Sequence, residues 1–166
     1  MGALHVRQAH PADLDVLVQE LGQRPLFEDR LARQDKELGV LLTAWLGSAP
    51  IGVIYLWLEE AEEAELRHHL PGTPILNHLE ILPGHRGRGI GTMLITAAEG
   101  RLRERGHRQV ALAVEESNVR AARLYERLGY QPWPHPKIRC LSLTDGTGER
   151  QVEICQIMVK TLVRQV

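Results

Sequence analysis

The feature that most constrains this chain is a run of glycines and arginines that separates a strand pattern from a helix pattern. Residues 75–82 (ILNHLEIL) are typical of a strand, and the Pro-Gly pair at 83–84 ends it. The glycine-arginine run occupies residues 85–92 (HRGRGIGT). Apolar residues then recur at helical spacing, at Ile90, Met93, Leu94, Ala97, Ala98 and Leu102. A strand that leads through glycines into a helix presents free backbone N–H groups at the positive end of the helix dipole, where phosphate binds well.

The spacing within this run bears on which phosphate ligand it suits. A nucleotide P-loop needs Lys and then Ser or Thr after its last glycine, whereas Ile90 and Gly91 follow Gly89. The dinucleotide fingerprint G-x-G-x-x-G, started at Gly87, needs glycine where Thr92 stands. Both spacings argue against ATP and NAD as the ligand.

The rest of the chain supplies helix and strand patterns in the order β-α-α-β-β-β-α-β-α-β-β. The predicted strands are 4–9, 40–46, 51–58, 75–82, 110–114, 138–143 and 152–159, and the predicted helices are 14–21, 26–38, 90–105 and 118–128. Residues 59–74 read as a loop with room for a short helix, and Asp145 to Gly148 as the turn of a final hairpin. We therefore predict one α/β (α+β) domain over residues 1–166, with helices on both faces of the sheet.

Two motifs resemble those of the GNAT superfamily of N-acetyltransferases. The first is Arg-x-x-Gly-x-Gly at 86–91, after a strand that ends Leu-x-Ile-x-Pro at 79–83. The second is Asn-x-x-Ala-x-x-Leu-Tyr-Glu-x-x-Gly-Tyr at 118–130. Together they span about a third of the chain. The resemblance implies a GNAT-like mixed, mostly antiparallel sheet of six to seven strands flanked by about four helices.

The resemblance also implies acetyl-CoA as co-substrate, with a longer CoA thioester left open. The backbone amides of residues 86–92 would hold the CoA pyrophosphate, and Arg86 and Arg88 would add charge. The main chain of Leu79 and Ile81 would pair with the pantetheine arm in a gap between splayed strands. Asn118 would bind the pantetheine or the acceptor, or would be a plain helix N-cap. The predicted cofactor-binding residues are Leu79, Ile81, Arg86, Gly87, Arg88, Gly89, Ile90, Gly91, Thr92 and Asn118.

The reaction that the resemblance implies is direct attack of a primary amine on the thioester. Tyr125 is the predicted general acid for the leaving CoA sulfur, because a phenol stays protonated at neutral pH; it also fits a core aromatic position. Glu80 is the predicted general base, since it lies between the two pantetheine-pairing residues. His78, Glu115 and Glu116 are alternatives for the base. A β-bulge near Glu80 would change the face to which its side chain points.

Charge and hydropathy bear on the partners. The formal net charge is -1 and the pI is about 6.7, which argues against nucleic acid and anionic membranes as partners. The sequence shows no apolar run of signal-peptide or membrane-spanning length, so we predict a cytoplasmic protein. Homodimers are common in the family that the chain resembles, and a homodimer is accordingly expected. A non-catalytic acyl-CoA-binding module or regulator is the alternative function, against which the presence of Tyr125 and Asn118 argues.

The cysteines, histidines and acidic residues leave the substrate open. Cys140 and Cys155 read as reduced, apolar thiols, although neighbouring strands would also allow a bridge. The histidines are scattered and predict no metal site. The acidic stretch at 59–65 is either a solvated segment or a rim that attracts a cationic amine. The acceptor, a small-molecule or peptide amine, is not specified further by the sequence.

Overall fold

The computed structural model describes residues 2–143 and 150–163, within which the chain forms eight strands and five α-helices. The strands are β1 Leu4–Gln8, β2 Gly39–Leu46, β3 Ala49–Trp57, β4 Ile75–Ile81, β5 Gln109–Glu115, β6 Gln131–Pro132, β7 Ile138–Leu143 and β8 Arg150–Thr161. The helices are α1 Leu14–Leu21, α2 Arg24–Asp35, α3 Ala64–His69, α4 Ile90–Glu104 and α5 Val119–Arg127. The predicted turn at Asp145 to Gly148 lies outside the described residues.

All strands belong to one sheet in the order β1-β2-β3-β4-β5-β8-β6, with β7 on β8. Every pair is antiparallel except β4 with β5, which confirms the predicted mixed, mostly antiparallel fold. The strand that the sequence did not signal is β6. It has two residues, one of them Pro132, and it exists because Gln131 pairs with Val159 of β8.

Helices cover both faces of the sheet, so its central strands are apolar on both sides. Alternate residues of β2 show this: Val40 and Leu42 pack in the cluster around α4, whereas Leu41 packs with α1 and α2. The α4 stripe predicted from the sequence supplies Leu94 and Leu102 to the first cluster, both fully buried. The sheet thus packs between two helical layers.

Two irregularities of β4 determine where a ligand can enter. Asn77 lies opposite Tyr55 and Glu80 opposite Val53, so the strand carries one extra residue, a β-bulge. His78 takes up this extra residue with a left-handed φ of 49°. On the other edge, β4 pairs with β5 only at Ile75 and Leu76. Beyond Leu76 the two strands diverge and a gap opens between them.

Candidate active site

The glycine-arginine loop forms an anion-binding surface. Gly89 is the N-cap of α4 with a left-handed φ of 79°, and Gly87 has a φ of 77°. Within the described residues, the N–H groups of positions 87–92 have no hydrogen-bond acceptor. These N–H groups include the first turn of a 15-residue helix, where the helix dipole adds positive potential.

A groove of about 600 Å³ runs from this loop along α5. Arg86, Arg120 and Arg127 line it and make it basic. The Arg88 side chain is exposed and does not line the groove, although the neighbouring Gly87 and Gly89 do. Arg120 and Arg127 were missed by the sequence analysis. Their seven-residue spacing, two turns of one helix, was the available signal.

The main chain of β4 borders the groove as a free strand edge. The Leu82 N–H donates to the Ile51 carbonyl at 2.9 Å, which directs that residue's main chain toward β3. Because directions alternate along a strand, the main chains of Leu79 and Ile81 face the gap. Arg86 agrees with this geometry, since its Nε donates to the Ile81 carbonyl at 3.1 Å. The edge that Leu79 and Ile81 present can accept an extended ligand.

A second cavity, of about 620 Å³, lies on the other side of the gap, between α2, β4 and β5. The residues that line both cavities are Leu79, Asn118, Ala121 and Tyr125. We call this set the shared wall. A ligand in the groove and a ligand in the second cavity therefore meet at these four side chains.

Tyr125 is the titratable member of the shared wall. It is half-buried and packs edge-on against Tyr130 at 6.1 Å between ring centroids. Its hydroxyl makes no hydrogen bond within the residues that the structure describes. Burial raises the pKa of Tyr125 above the ordinary phenol value of 10.0, so the proton is present at neutral pH. Tyr125 thus packs against the core and also borders both cavities.

Asn118 caps α5 and belongs to the shared wall as well. Its Oδ1 accepts a hydrogen bond from the Ala121 N–H at 3.1 Å, which is the N-cap arrangement. The Nδ2 amide has no hydrogen-bond partner in the described part of the chain. The cap therefore occupies one end of the side-chain amide and leaves two donors for a ligand.

Glu80 is part of a small hydrogen-bonded group on β4. Its Oε2 accepts from Gln23 Nε2 at 2.8 Å and lies 2.9 Å from His78 Nε2. Glu80 lines the groove, whereas His78 lines the second cavity. Of the alternative bases, Glu115 lines the second cavity and Glu116 is paired with Lys137 at the surface. Gln23, between α1 and α2, was not predicted because nothing local links it to β4.

The second cavity carries more negative than positive side chains. Its carboxylates are Asp29, Glu62, Glu63, Glu115 and Glu153. Its two arginines are already engaged: Arg33 bonds Glu59 at 2.7 Å, and Arg30 bonds Asp29 and the Asn77 side chain. Glu62 and Glu63 of the acidic 59–65 stretch thus line the cavity, as is required if this stretch forms a rim that attracts a cationic amine.

The two cysteines lie on neighbouring strands in the wall of the second cavity. Cys140 of β7 and Cys155 of β8 are free and buried. The hydrogen bond between the thiols, and then burial, raise the pKa of Cys140, so this thiol is protonated at neutral pH.

The described residues contain no group of three or more metal-ligating side chains placed to hold an ion. No helix in residues 2–143 and 150–163 is both long and apolar enough to span a bilayer.

Comparison with known proteins relates this geometry to a family. A mycothiol acetyltransferase from Streptosporangium roseum is 49% identical over 51 residues, which is 31% of this chain. The match covers only 15% of that relative's own length. Among solved structures, the ribosomal-protein-S18-alanine N-acetyltransferase of Escherichia coli superposes with a TM-score of 0.71 at 17% identity, covering 99% of this chain and 97% of that one.

A second solved structure is the PaiA N-acetyltransferase of Thermoplasma acidophilum in complex with coenzyme A. Its TM-score is 0.68 at 18% identity, over 96% of this chain and 99% of that one. The profile of the Acetyltransferase (GNAT) family matches residues 5–130, which is most of the chain and contains both motifs. The chain belongs to the GNAT family of acetyltransferases.

Proposed function

We propose that the protein transfers the acetyl group of acetyl-CoA directly to a primary amine. The observation that carries this proposal is the shared wall: a basic groove with free N–H groups and an acidic cavity open onto the same four residues. A donor with phosphates suits the first, and a cationic acceptor suits the second. A reaction between the two needs this kind of contact between bound ligands.

The donor half of the proposal rests on residues 79–92. The N–H groups of residues 87–92, with Arg86, bind the pyrophosphate, and the edge of Leu79 and Ile81 pairs with the pantetheine arm. Asn118 adds a donor through its unoccupied Nδ2. The fold comparison agrees with this choice of donor, since PaiA, the relative described above, was solved with coenzyme A. For Arg88 we propose a contact through the backbone N–H only, because its side chain is exposed and does not line the groove.

The chemical step needs a proton at the sulfur and a proton removed from the amine. The amine nitrogen attacks the thioester carbonyl carbon, and an N–H between Leu79 and Ile81 stabilises the oxyanion. The C–S bond then breaks, and Tyr125 donates its phenolic proton to the CoA sulfur. The second ammonium proton restores Tyr125, directly or through water. The group of Glu80 and His78 on β4 removes the first ammonium proton.

The acceptor class follows from charge. Five carboxylates and two arginines line the second cavity, and Asp29 pairs with both arginines, so negative side chains still outnumber positive ones. A cationic primary amine, small or on a peptide, is therefore favoured over a neutral hydroxyl. The relatives named above carry different acceptors in their names, mycothiol and a ribosomal-protein alanine. Their names accordingly select no single acceptor for this chain.

Calorimetry with acetyl-CoA tests the proposal first. We expect saturable binding of acetyl-CoA and none of NAD or ATP, followed by thiol release when amines are added. The amine panel contains spermidine, lysine amide, an alanine-terminated peptide and a lysine-containing peptide. Binding without thiol release from any amine would favour the alternative, a non-catalytic acyl-CoA-binding module. Binding of NAD or ATP in place of acetyl-CoA would overturn the donor assignment.

A glycine-to-alanine pair tests the loop. Gly89→Ala places a Cβ on a left-handed residue, which costs roughly 1–2 kcal/mol, so we expect the Kd for acetyl-CoA to rise about tenfold. Gly100→Ala, in the helix that Gly89 caps and with nothing within 4 Å of the added Cβ, is the matched control. It should leave the Kd unchanged. Equal Kd values for the two variants would show that the loop conformation does not govern binding.

We further propose one GNAT domain over residues 1–166, a cytoplasmic location and a homodimer. The single sheet, whose strands share their hydrophobic clusters, supports one domain. The free thiols of Cys140 and Cys155 suit a reducing compartment. The exposed apolar side chains of Leu141, Val152 and Ile154 on β7 and β8 offer a surface for a second copy.

A further inference from the structure

The backbone of His78 is strained at the edge of the second cavity. Its φ of 49° is left-handed, a conformation that few residues other than glycine adopt and in which Asn, Asp and His are enriched. Strain of this kind concentrates at functional sites. The β-bulge lies between Asn77 and Glu80, directly before Leu79, whose main chain faces the gap. The strained residue is therefore the immediate neighbour of the strand edge described above.

The bulge separates the two candidate bases between the two cavities. His78 lines the second cavity, in which the acceptor would bind. Glu80 lines the groove instead and contacts His78 through its carboxylate. The His78 imidazole is thus the side chain that borders the acceptor cavity, and the Glu80 carboxylate contacts this imidazole from the groove side.

The hydrogen bonds around Glu80 select one tautomer of His78. An ionised carboxylate only accepts hydrogen bonds. Glu80 Oε2 already accepts from Gln23 Nε2 at 2.8 Å and lies 2.9 Å from His78 Nε2, so that nitrogen carries the hydrogen. In the neutral imidazole, Nδ1 then holds the lone pair. No hydrogen bond to Nδ1 occurs within the described residues.

We propose that His78 is the general base, with Glu80 and Gln23 as positioning residues. This inference rests on the proposed function and assigns the base within it. Nδ1 of His78 takes one proton from the acceptor ammonium, which frees the nitrogen lone pair for attack on the thioester carbon. The imidazolium keeps its Nε2–H on Glu80 and later releases the added proton to solvent. This released proton is the net proton of the reaction, because Tyr125 is restored by the second ammonium proton.

The protonation geometry is tested without turnover, by NMR of protein labelled with ¹⁵N-histidine. His78→Asn identifies the His78 signals by their loss. In the wild type we expect the neutral form to carry its hydrogen on Nε2 alone. In the Glu80→Gln variant we expect His78 to populate both neutral tautomers, because the new amide can donate as well as accept a hydrogen bond. A wild-type imidazole with its hydrogen on Nδ1 would overturn the proposal.

Kinetics then test the role of the imidazole. His78→Asn suits the left-handed backbone, so the variant should fold and bind acetyl-CoA with a Kd within about twofold of the wild type. Its kcat should fall by roughly 10²-fold or more, as for a lost base. The kcat of the Glu80→Gln variant should fall less, by about tenfold, as expected for a positioning residue. The Glu104→Gln variant is the matched control and should keep its kcat, because this residue of α4 is exposed and lines neither cavity.

The acceptor in these assays is spermidine or, if spermidine is not acetylated, the most reactive amine of the panel above. If the wild type acetylates the amine and the His78→Asn variant is equally active, the assignment of His78 as the base is overturned, but the proposed function is not. A larger loss in Glu80→Gln than in His78→Asn would move the base to Glu80. A wild type that acetylates no amine would overturn the proposed function itself, so the two failures are distinguishable.

Discussion

Replacing Tyr125 with phenylalanine is expected to lower the turnover of acetyl-CoA with an amine by roughly 10²–10⁴-fold, the usual cost of losing a positioned acid. The change removes only the hydroxyl, so packing against Tyr130 and the lining of both cavities are kept. The leaving thiolate then departs without a proton donor. Binding of acetyl-CoA should survive, since the phosphate contacts proposed above lie elsewhere in the groove.

Steady-state thiol release and calorimetry measure these two quantities for the Tyr125 variant. Tyr55→Phe is the matched control, because the buried Tyr55 hydroxyl has no hydrogen-bond partner among residues 2–143 and 150–163 and lies in the core beside α1 and α2. Burial raises the pKa of Tyr55 to about 12. Removal of the Tyr55 hydroxyl should leave kcat unchanged. Unchanged turnover of Tyr125→Phe would remove Tyr125 from the mechanism.

Replacing Glu99 with alanine is expected to lower the free energy of unfolding by about 3–5 kcal/mol, the range found when one partner of a buried ion pair is removed. Glu99, on α4, is 4% exposed. Its carboxylate accepts from the Tyr130 hydroxyl at 2.8 Å and from Lys160 Nζ at 3.0 Å. The variant leaves that hydroxyl buried without a partner and the ammonium without its counter-charge. Lys160 is partly exposed, which places the expected value in the lower half of the range.

Urea unfolding followed by circular dichroism measures this difference in stability. Glu104→Ala, on the last turn of the same helix, is the control, since an exposed surface change is expected to stay within about 0.5 kcal/mol. A loss below about 1 kcal/mol in Glu99→Ala would mean that the ion pair only balances its own desolvation.

Local patterns account for much of what could be predicted. The α4 stripe, the glycine loop before it and the Asn118 cap each depend on residues close together in sequence, so their spacing was informative. The mostly antiparallel sheet and the order of the elements followed from the same patterns, apart from β6 and the short α3. The GNAT family assignment rested on two such local motifs, and the family profile confirms it.

Features that depend on strand register could not be predicted in this way. A bulge is an extra residue relative to a partner strand, so no window around His78 reveals it. The separation of β4 from β5 beyond Leu76 depends equally on tertiary packing. Gln23 reaches Glu80 across 57 positions of sequence, and its role arises only once α2 lies on the sheet.

The shared wall also has a consequence for inhibitor design. Because one set of four side chains borders both cavities, a covalent conjugate of CoA with an amine would occupy the groove and the second cavity at once. Such a molecule loses its translational freedom a single time, so its two halves act at a high effective concentration toward each other. The shared lining of the two cavities thus makes this protein a suitable target for ligands that join a donor and an acceptor in one molecule.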